Sequence, residues 1–117
     1  MTPQTARATY RRMLNSVGEN ITMRRYTGTG ASRPHTDATV VARVTDYMPE
    51  QLVGAVQQGD RNLIVLAEDL AASGWPVPPL KNDKVVVRGK ELNVEAVDDS
   101  TRRVKGTLVA YEIRVRG

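Results

Sequence analysis

The chain has 117 residues, 40% of them hydrophobic, and its 17 Lys and Arg outnumber its 13 Asp and Glu to give a net charge of +4. This length fits one domain that buries roughly two-thirds of its unfolded surface. Cysteine is absent, which excludes a disulfide scaffold and a thiolate metal site. The N-terminal segment is polar and the apolar runs are far below the ~20 residues of a membrane span. We therefore expect a soluble protein made in the cytoplasm.

The core is predicted to be aliphatic, because Phe is absent and the aromatic residues are four Tyr and one Trp. A light β-core favours packing against further copies or a partner. The arginines do not form one basic cluster, since acidic residues such as Glu91, Glu95 and Glu112 separate them. We interpret them as a solvated face or as contacts to neighbouring subunits, because DNA-binding domains usually concentrate their basic residues on one face.

The first predicted element is a helix over about residues 3–17. Thr2 is its predicted N-cap, Pro3 takes the first helical position and Gly18 ends it. Apolar side chains recur along it at three- and four-residue spacing: Ala6, Tyr10, Met13, Leu14 and Val17. This stripe either packs over one end of the β-core or docks onto another protein.

Period-two alternation of apolar residues predicts that the chain is mainly β from about residue 20 to residue 117. We expect a small barrel or sandwich of about six antiparallel strands with long loops. Together with the helix it makes a single domain over residues 1–117. The first three predicted strands cover residues 21–26, 39–47 and 61–67, and Ile21 and Met23 face inward. Three more follow near residues 85–87, 92–96 and 108–115. On one face of the last strand we expect Val109, Tyr111, Ile113 and Val115.

Two long connections interrupt the strands. Residues 27–37 form a flexible loop, whose Gly-x-Gly lacks the Lys-Ser/Thr ending and the third glycine of known phosphate cradles. Residues 48–60 form either a helical turn that covers the barrel end or a projecting functional loop. Residues 68–80 contain three prolines that stop regular pairing, and Trp75 is predicted to plug one mouth of the barrel.

No residues with the pattern of a catalytic site stand out. His35 is the one histidine and lies in a Gly/Pro loop, where we expect it to be solvated. Asp98 and Asp99 occupy a predicted turn, which aspartate favours. Glu68 and Asp69 would point to opposite faces of a strand. We therefore predict that the protein is not an enzyme and binds no metal or cofactor.

Two segments carry a resemblance to a known family. One is the strand Val41-Ala42-Arg43-Val44 followed by a long loop. The other is the hairpin over residues 82–94, Asn-Asp-Lys-Val-Val-Val-Arg-Gly-Lys-Glu-Leu-Asn-Val. With the N-terminal helix and the strand Ile-Thr-Met-Arg-Arg at residues 21–25, the chain from about residue 19 onward resembles the small head-tail joining proteins of tailed bacteriophages and related prophages. These are also called head-completion, head-closure or stopper proteins.

The resemblance implies a structural role in the virion neck. Such proteins form a ring, a hexamer or dodecamer of β-barrel subunits, beneath the portal and adaptor. The ring closes the DNA-filled head and presents a docking surface for the tail terminator or tail tube. By this resemblance the protein is in the host cytoplasm during assembly, and double-stranded DNA passes through its lumen without sequence-specific binding. No membrane partner is implied.

The resemblance also suggests functional residues. In that family the loop between the second and third strands often projects into the channel and holds the packaged DNA. The corresponding residues here are Met48, Glu50, Gln51, Leu52, Val53, Gly54, Gln57, Gln58, Gly59 and Asp60. A candidate partner-contact loop contains Thr27, Gly28, Gly30, Arg33 and His35. Which of the two loops lines the lumen is left open.

Two alternative functions remain at this stage. A nucleic-acid-binding barrel of the OB or SH3-like kind would use the same strands but needs exposed aromatic residues on one sheet face. Another phage neck or tail-completion subunit would share the partners and differ in position. An adaptor is less favoured, because adaptors are mainly helical and this sequence predicts one helix.

Overall fold

The computed structural model describes residues 2–28, 30, 33–46, 60–99 and 102–117, with the side chain of residue 46 left aside. It is mainly β, and six antiparallel strands form a closed barrel. The elements in chain order are α1 (Pro3–Val17), β1 (Glu19–Tyr26), β2 (His35–Asp46), β3 (Arg61–Leu66), α2 (Ala67–Ala72), β4 (Lys84–Val87), β5 (Lys90–Asp98), β6 (Arg103–Val104), β7 (Thr107–Leu108) and β8 (Ala110–Arg116). The predicted fold class is confirmed.

The barrel closes in the order β1-β2-β3-β8-β5-β4 and returns to β1. Strands β6 and β7 form a separate two-stranded hairpin, which the sequence analysis did not separate from the last strand. Lys105 and Gly106 both have positive φ, 51° and 80°, and make its turn. Leu108 therefore belongs to this hairpin, and β8 begins at Ala110.

Alternating side chains fill the barrel, as the period-two pattern predicts. Ile21 and Met23 of β1 and Ile113 and Val115 of β8 are all buried in one cluster. Aliphatic residues make up most of this cluster, since it contains no Phe and its large aromatic members are Trp75 and Tyr111. Burial of this apolar surface is the main term that stabilises the barrel.

Helix α1 has the predicted ends. The hydroxyl oxygen of Thr2 accepts a hydrogen bond from the amide of Thr5 at 3.1 Å, and the amide of Gly18 donates to the carbonyl of Leu14 at 2.9 Å. Ala6 and Leu14 are buried against outward-facing Leu66 and neighbouring Val109. The apolar stripe thus packs against the barrel, on its outer wall and not over one end as expected.

Residues 67–72 form α2, whereas the sequence analysis expected irregular structure after a strand ending at Ala67. That prediction is wrong: Pro76, Pro78 and Pro79 stop regular structure only after this segment, and its Ala, Glu and Leu residues favour a helix. Glu68 and Asp69 lie in the first turn, where carboxylates favour a helix. Both face Arg11 of α1, at 3.8 and 2.8 Å. They therefore join the two helices rather than diverging.

The two ends of the barrel are defined by strand β2. It runs over 12 residues from His35, paired with Tyr26 of β1, to Asp46, paired with Arg61 of β3. We call the end at His35 the Trp75 end and the opposite end the Asp60 end. Within the described residues, no helix is both long and apolar enough to cross a membrane.

Candidate functional site

The Trp75 end of the barrel is closed by the indole of Trp75. Its side chain is 2% exposed and belongs to the core cluster. The indole Nε1 donates a hydrogen bond to the carbonyl of Thr36, near the beginning of β2, at 3.0 Å. This contact brings the proline-containing segment after α2 next to the loop between β1 and β2, and it places Trp75 in the mouth predicted from the sequence.

Arg25 and Asp83 fix the segment that follows Trp75. Arg25 Nε and Nη2 donate to the two carboxylate oxygens of Asp83 at 2.9 and 2.8 Å, and Nη2 also donates to the carbonyl of Pro78 at 2.9 Å. Asp83 in turn accepts from the amide of Leu80 at 2.7 Å. The guanidinium lies 4.7 Å from the centre of the Trp75 ring. Hydrogen bonds from Arg25 to Asp83 raise the pKa of Arg25 above its ordinary value.

Residues 76–80, which we call the proline turn, present apolar side chains to solvent. Val77 is 43% exposed and Leu80 is 52% exposed, and Pro76 and Pro78 are exposed beside them. The only other large hydrophobic residue so exposed in the described chain is Val17 of α1, at the Asp60 end. Because its backbone is already held by Arg25 and Asp83, the proline turn would lose little conformational entropy on binding a partner.

A polar network covers the barrel wall beside this end. Arg24 donates to Asp37 at 3.0 and 3.1 Å and to Glu91 at 3.0 Å, and the hydroxyl of Tyr26 donates to Glu91 at 2.7 Å. The bonds from Arg24 are the main reason that the pKa of Asp37 is lowered. The bond from Tyr26 is the first cause of the lowered pKa of Glu91. Strand pairing thus brings together charged side chains that are far apart in the sequence.

The candidate partner-contact loop is tied to this network. The amide of Thr27 donates to the carbonyl of Pro34 at 2.9 Å, and Gly28 and Gly30 have φ values of +75° and +96°. The Arg33 guanidinium lies 4.3 Å from the centre of the Tyr26 ring. His35 is not a loop residue as expected, because it begins β2 and its Nδ1 lies 2.7 Å from Asp37. It pairs with Tyr26 across the strands.

The Asp60 end contains a buried ion pair. The carboxylate of Asp60 has no exposed surface, and it accepts hydrogen bonds from Arg116 Nε at 2.7 Å and Nη2 at 3.0 Å. Arg114 Nε lies 3.7 Å from the same carboxylate. Arg116 Nη1 also contacts Glu95 at 3.2 Å. Asp60 therefore anchors the beginning of β3 to the end of β8.

Asp60 is the one residue of the predicted channel loop among the described residues, and its side chain is buried. The other residues of that prediction lie outside the described residues: Met48, Glu50, Gln51, Leu52, Val53, Gly54, Gln57, Gln58 and Gly59. The two candidate loops are attached at opposite ends of β2, so the structure does not bring them together.

Several arginines of this net positive chain are paired with acidic side chains in its described part. Arg24, Arg25, Arg102 and Arg116 each contact a carboxylate of the same chain within 3.2 Å. The sequence analysis had assigned such residues to solvent or to neighbouring subunits, because no local pattern shows a partner far along the chain. Within the described residues, no group of three or more His, Cys, Asp or Glu is placed to hold a metal ion.

The residues that make the Trp75 end distinctive carry little or no local signal in the sequence. Val77 and Leu80 had a weak local signal, namely apolar residues between prolines in a segment without periodicity. Arg25 and Asp83 had none, because they are 58 residues apart and meet only when β1 pairs with β4.

Comparison of the chain with models of known protein families gives no match, and comparison with curated proteins gives no significant match. The geometry of the barrel and of its two ends is therefore the basis for a functional proposal.

Proposed function

We propose that the protein is a structural component of the neck of a tailed bacteriophage or prophage. It forms a ring under the portal and adaptor, closes the DNA-filled head and joins the head to the tail. The observation that carries this proposal is the difference between the two ends of the barrel. A subunit of such a ring meets an adjoining protein at one surface and the DNA channel at another, so it needs two chemically different ends.

The Trp75 end supplies the docking surface in this proposal. The proline turn presents Val77 and Leu80 on a backbone held by Arg25 and Asp83. Exposed apolar side chains on a fixed segment suit a protein partner, because burying them gains free energy at little entropic cost. The partner is the adjoining neck or tail protein.

The Asp60 end carries the long connection between β2 and β3. Residues 48–60 contain two acidic residues and no Lys or Arg, a composition that lets DNA slide past without phosphate contacts. The buried pair between Asp60 and Arg116 gives this connection a firm attachment to the barrel. In the proposal this connection faces the channel.

Within the described residues, the nucleic-acid-binding alternative finds no open aromatic face. Among the described aromatic residues, Trp75 and Tyr111 are buried. The rings of Tyr10 and Tyr26 have the guanidinium groups of Arg102 and Arg33 over them, at 5.8 and 4.3 Å. A binding face for single strands requires aromatic rings open to stacking with bases. We therefore do not retain this function.

The test is deletion of the coding region from the producing virus or prophage, followed by electron microscopy of the lysate. We expect separate tails beside tailless heads that have lost their DNA. Complementation with the wild-type gene should restore tailed particles. Leu80→Asp should not restore them, because it places a charge on the docking surface. Val17→Asp is the matched control, since Val17 is equally exposed at the other end, and it should restore them.

Intact tailed particles in normal number without the gene would overturn the proposed function. Restoration by Leu80→Asp would contradict only the role of the proline turn. Both variants should first be shown to fold, by the fluorescence of Trp75 and by the far-ultraviolet circular dichroism of the purified proteins.

A further inference from the structure

We propose that the guanidinium group of Arg33 binds a carboxylate of the protein that docks at the Trp75 end. Arg33 carries the one permanent charge of the candidate partner-contact loop. It lies just before β2, where the amide of Thr27 donates to the carbonyl of Pro34 at 2.9 Å and fixes the adjoining backbone. The inference rests on the proposed function and deepens it, because it names the chemical group that the partner must present.

The side chain of Arg33 is oriented by the ring of Tyr26. The guanidinium lies 4.3 Å from the centre of that ring, and Arg33 is half-buried. The ring is itself fixed. Its hydroxyl donates to Glu91 at 2.7 Å, and its centre lies 5.3 Å from that of the His35 ring in an edge-on arrangement. An arginine that is already oriented loses less entropy when it binds a partner.

The hydrogen-bond donors of Arg33 are open. Stacking on an aromatic ring uses the flat face of a guanidinium, whereas its N–H groups point outward in the plane of that group. Arg33 makes no hydrogen bond and no ion pair with the described residues. The two carboxylates of the adjoining network, Asp37 and Glu91, already accept hydrogen bonds from Arg24. Arg24 is therefore paired within its own chain and Arg33 is not.

A carboxylate fits these open donors. Its two oxygens match two parallel N–H groups of a guanidinium, and such charge-assisted bonds are about twice as strong as neutral ones. The local charge agrees with this choice. Arg24 contacts both Asp37 and Glu91, and the charge of Lys84 also acts on Glu91. These four groups balance one another, so the charge of Arg33 is in excess and attracts an anion.

The surroundings favour a protein carboxylate over a phosphate of DNA. Arg25, which holds the proline turn, precedes Tyr26 in β1, so consecutive residues of one strand carry the apolar surface and the platform for Arg33. A protein can cover apolar side chains and also place a carboxylate on Arg33, whereas DNA interfaces are more polar. DNA would also bring several phosphates to a wall that contains Asp37 and Glu91.

Carbodiimide crosslinking tests the pair, since it joins a carboxylate to an amine only where the two are in contact. Arg33→Lys keeps the positive charge and supplies the amine. The variant is produced together with the wild-type chain so that particles assemble, and purified particles are treated with the carbodiimide. Mass spectrometry should find position 33 joined to an Asp or Glu of a different protein. Arg43→Lys is the matched control, because Arg43 is exposed on β2 and makes no ion pair with the described residues. It should give no link to that protein.

The outcomes separate this proposal from the neck function. A link from position 33 to carboxylates of this chain alone, or no link at all in particles that contain the variant, would overturn the carboxylate partner. If the particles do not contain the chain, the same reaction is carried out in the lysate. A link there to an Asp or Glu of one other protein, absent in Arg43→Lys, would retain the pair and contradict the neck function. Its absence would overturn both.

Charge reversal gives a second measurement in the complementation assay. Arg33→Glu should reduce the number of tailed particles at least about tenfold, because it loses two charge-assisted bonds and repels the carboxylate of the partner. Arg43→Glu should restore tailed particles. Both variants should keep the wild-type fluorescence of Trp75 and circular dichroism. Equal numbers of tailed particles from the two variants would contradict the proposal. Weaker retention of double-stranded DNA by purified Arg33→Glu than by Arg43→Glu would overturn it in favour of a phosphate.

Discussion

Arg25 and Asp83, 58 residues apart in the sequence, form a two-pronged ion pair that closes the Trp75 end of the barrel. The carboxylate of Asp83 is almost fully buried, whereas the guanidinium of Arg25 is about one-fifth exposed. A single carboxylate thus holds the charge of Arg25 and the amide of Leu80 together. The conformation of the proline turn depends on this ion pair.

Asp83→Ala should lower the free energy of unfolding by about 3 kcal/mol, because it leaves the partly buried charge of Arg25 and the amide of Leu80 without their acceptor. Urea unfolding followed by Trp75 fluorescence measures this change. Glu19→Ala is the matched control. It removes a pair with Arg88, whose side chain is 64% exposed, and should cost less than about 1 kcal/mol. Equal losses in the two variants would contradict the structural role of Asp83.

Asp60→Asn should lower the free energy of unfolding by about 3 kcal/mol. The substitution keeps the shape of the side chain but removes the buried charge that Arg116 and Arg114 share. Chemical unfolding in urea gives the difference. For comparison, Glu68→Gln changes a carboxylate that is 55% exposed and lies 3.8 Å from Arg11. That change should cost less than about 1 kcal/mol, and a larger loss there than at Asp60 would show that the buried pair is not special.

Gly18→Ala should destabilise the protein by about 1–3 kcal/mol through crowding. A Cβ atom at this position would lie 2.5 Å from the carbonyl oxygen of Leu14 and 2.7 Å from Cγ1 of Val41. The end of α1 would have to move away from the barrel wall. Thermal unfolding followed by circular dichroism tests this, with Ser16→Ala on the exposed side of α1 as a control within about 0.5 kcal/mol. Unchanged stability in Gly18→Ala would mean that α1 is not held this closely.

Acid should remove the contribution of the network around Arg24. The folded protein lowers the pKa of Asp37 and that of Glu91. Both groups therefore add stability above their ordinary pKa values, about 3.9 and 4.3. This contribution is lost as the pH falls below those values and through the lower pKa values of the folded protein. The free energy of unfolding of Asp37→Asn/Glu91→Gln should lie below that of the wild type near pH 5.5, and the difference should narrow as the pH falls below about 4. Urea unfolding across this range measures the difference, and a constant gap would contradict the assignment.

The barrel could be predicted from the sequence because its information is local. Alternation at Ile21 and Met23, or at Ile113 and Val115, shows which side chains face the core without knowledge of the neighbouring strand. The caps of α1 at Thr2 and Gly18 are local in the same sense. Short elements were less visible. Helix α2 spans 6 residues and the strands of the β6-β7 hairpin 2 residues each, too few for a period to establish itself.

The candidate sites could not be predicted in the same way, because they depend on pairs of residues that only the closed barrel brings together. Asp60 and Arg116 are 56 residues apart, and Arg24 and Glu91 are 67 apart. Each side chain alone looks like an ordinary charged surface residue.

The place of β8 between β3 and β5 governs how the protein can fold. Strands β1, β2 and β3 pair in sequence order, and the hairpin of β4 and β5 pairs with β1 through β4, so that β8 makes the two seams that remain. Until it docks, β3 and β5 expose unpaired edges that invite association with other chains. Such long-range pairing is slow. Because the barrel stays open until β8 docks, we expect a single cooperative transition in which Trp75 fluorescence and circular dichroism change together. A separate early phase in either signal would show that part of the wall assembles without its last strand.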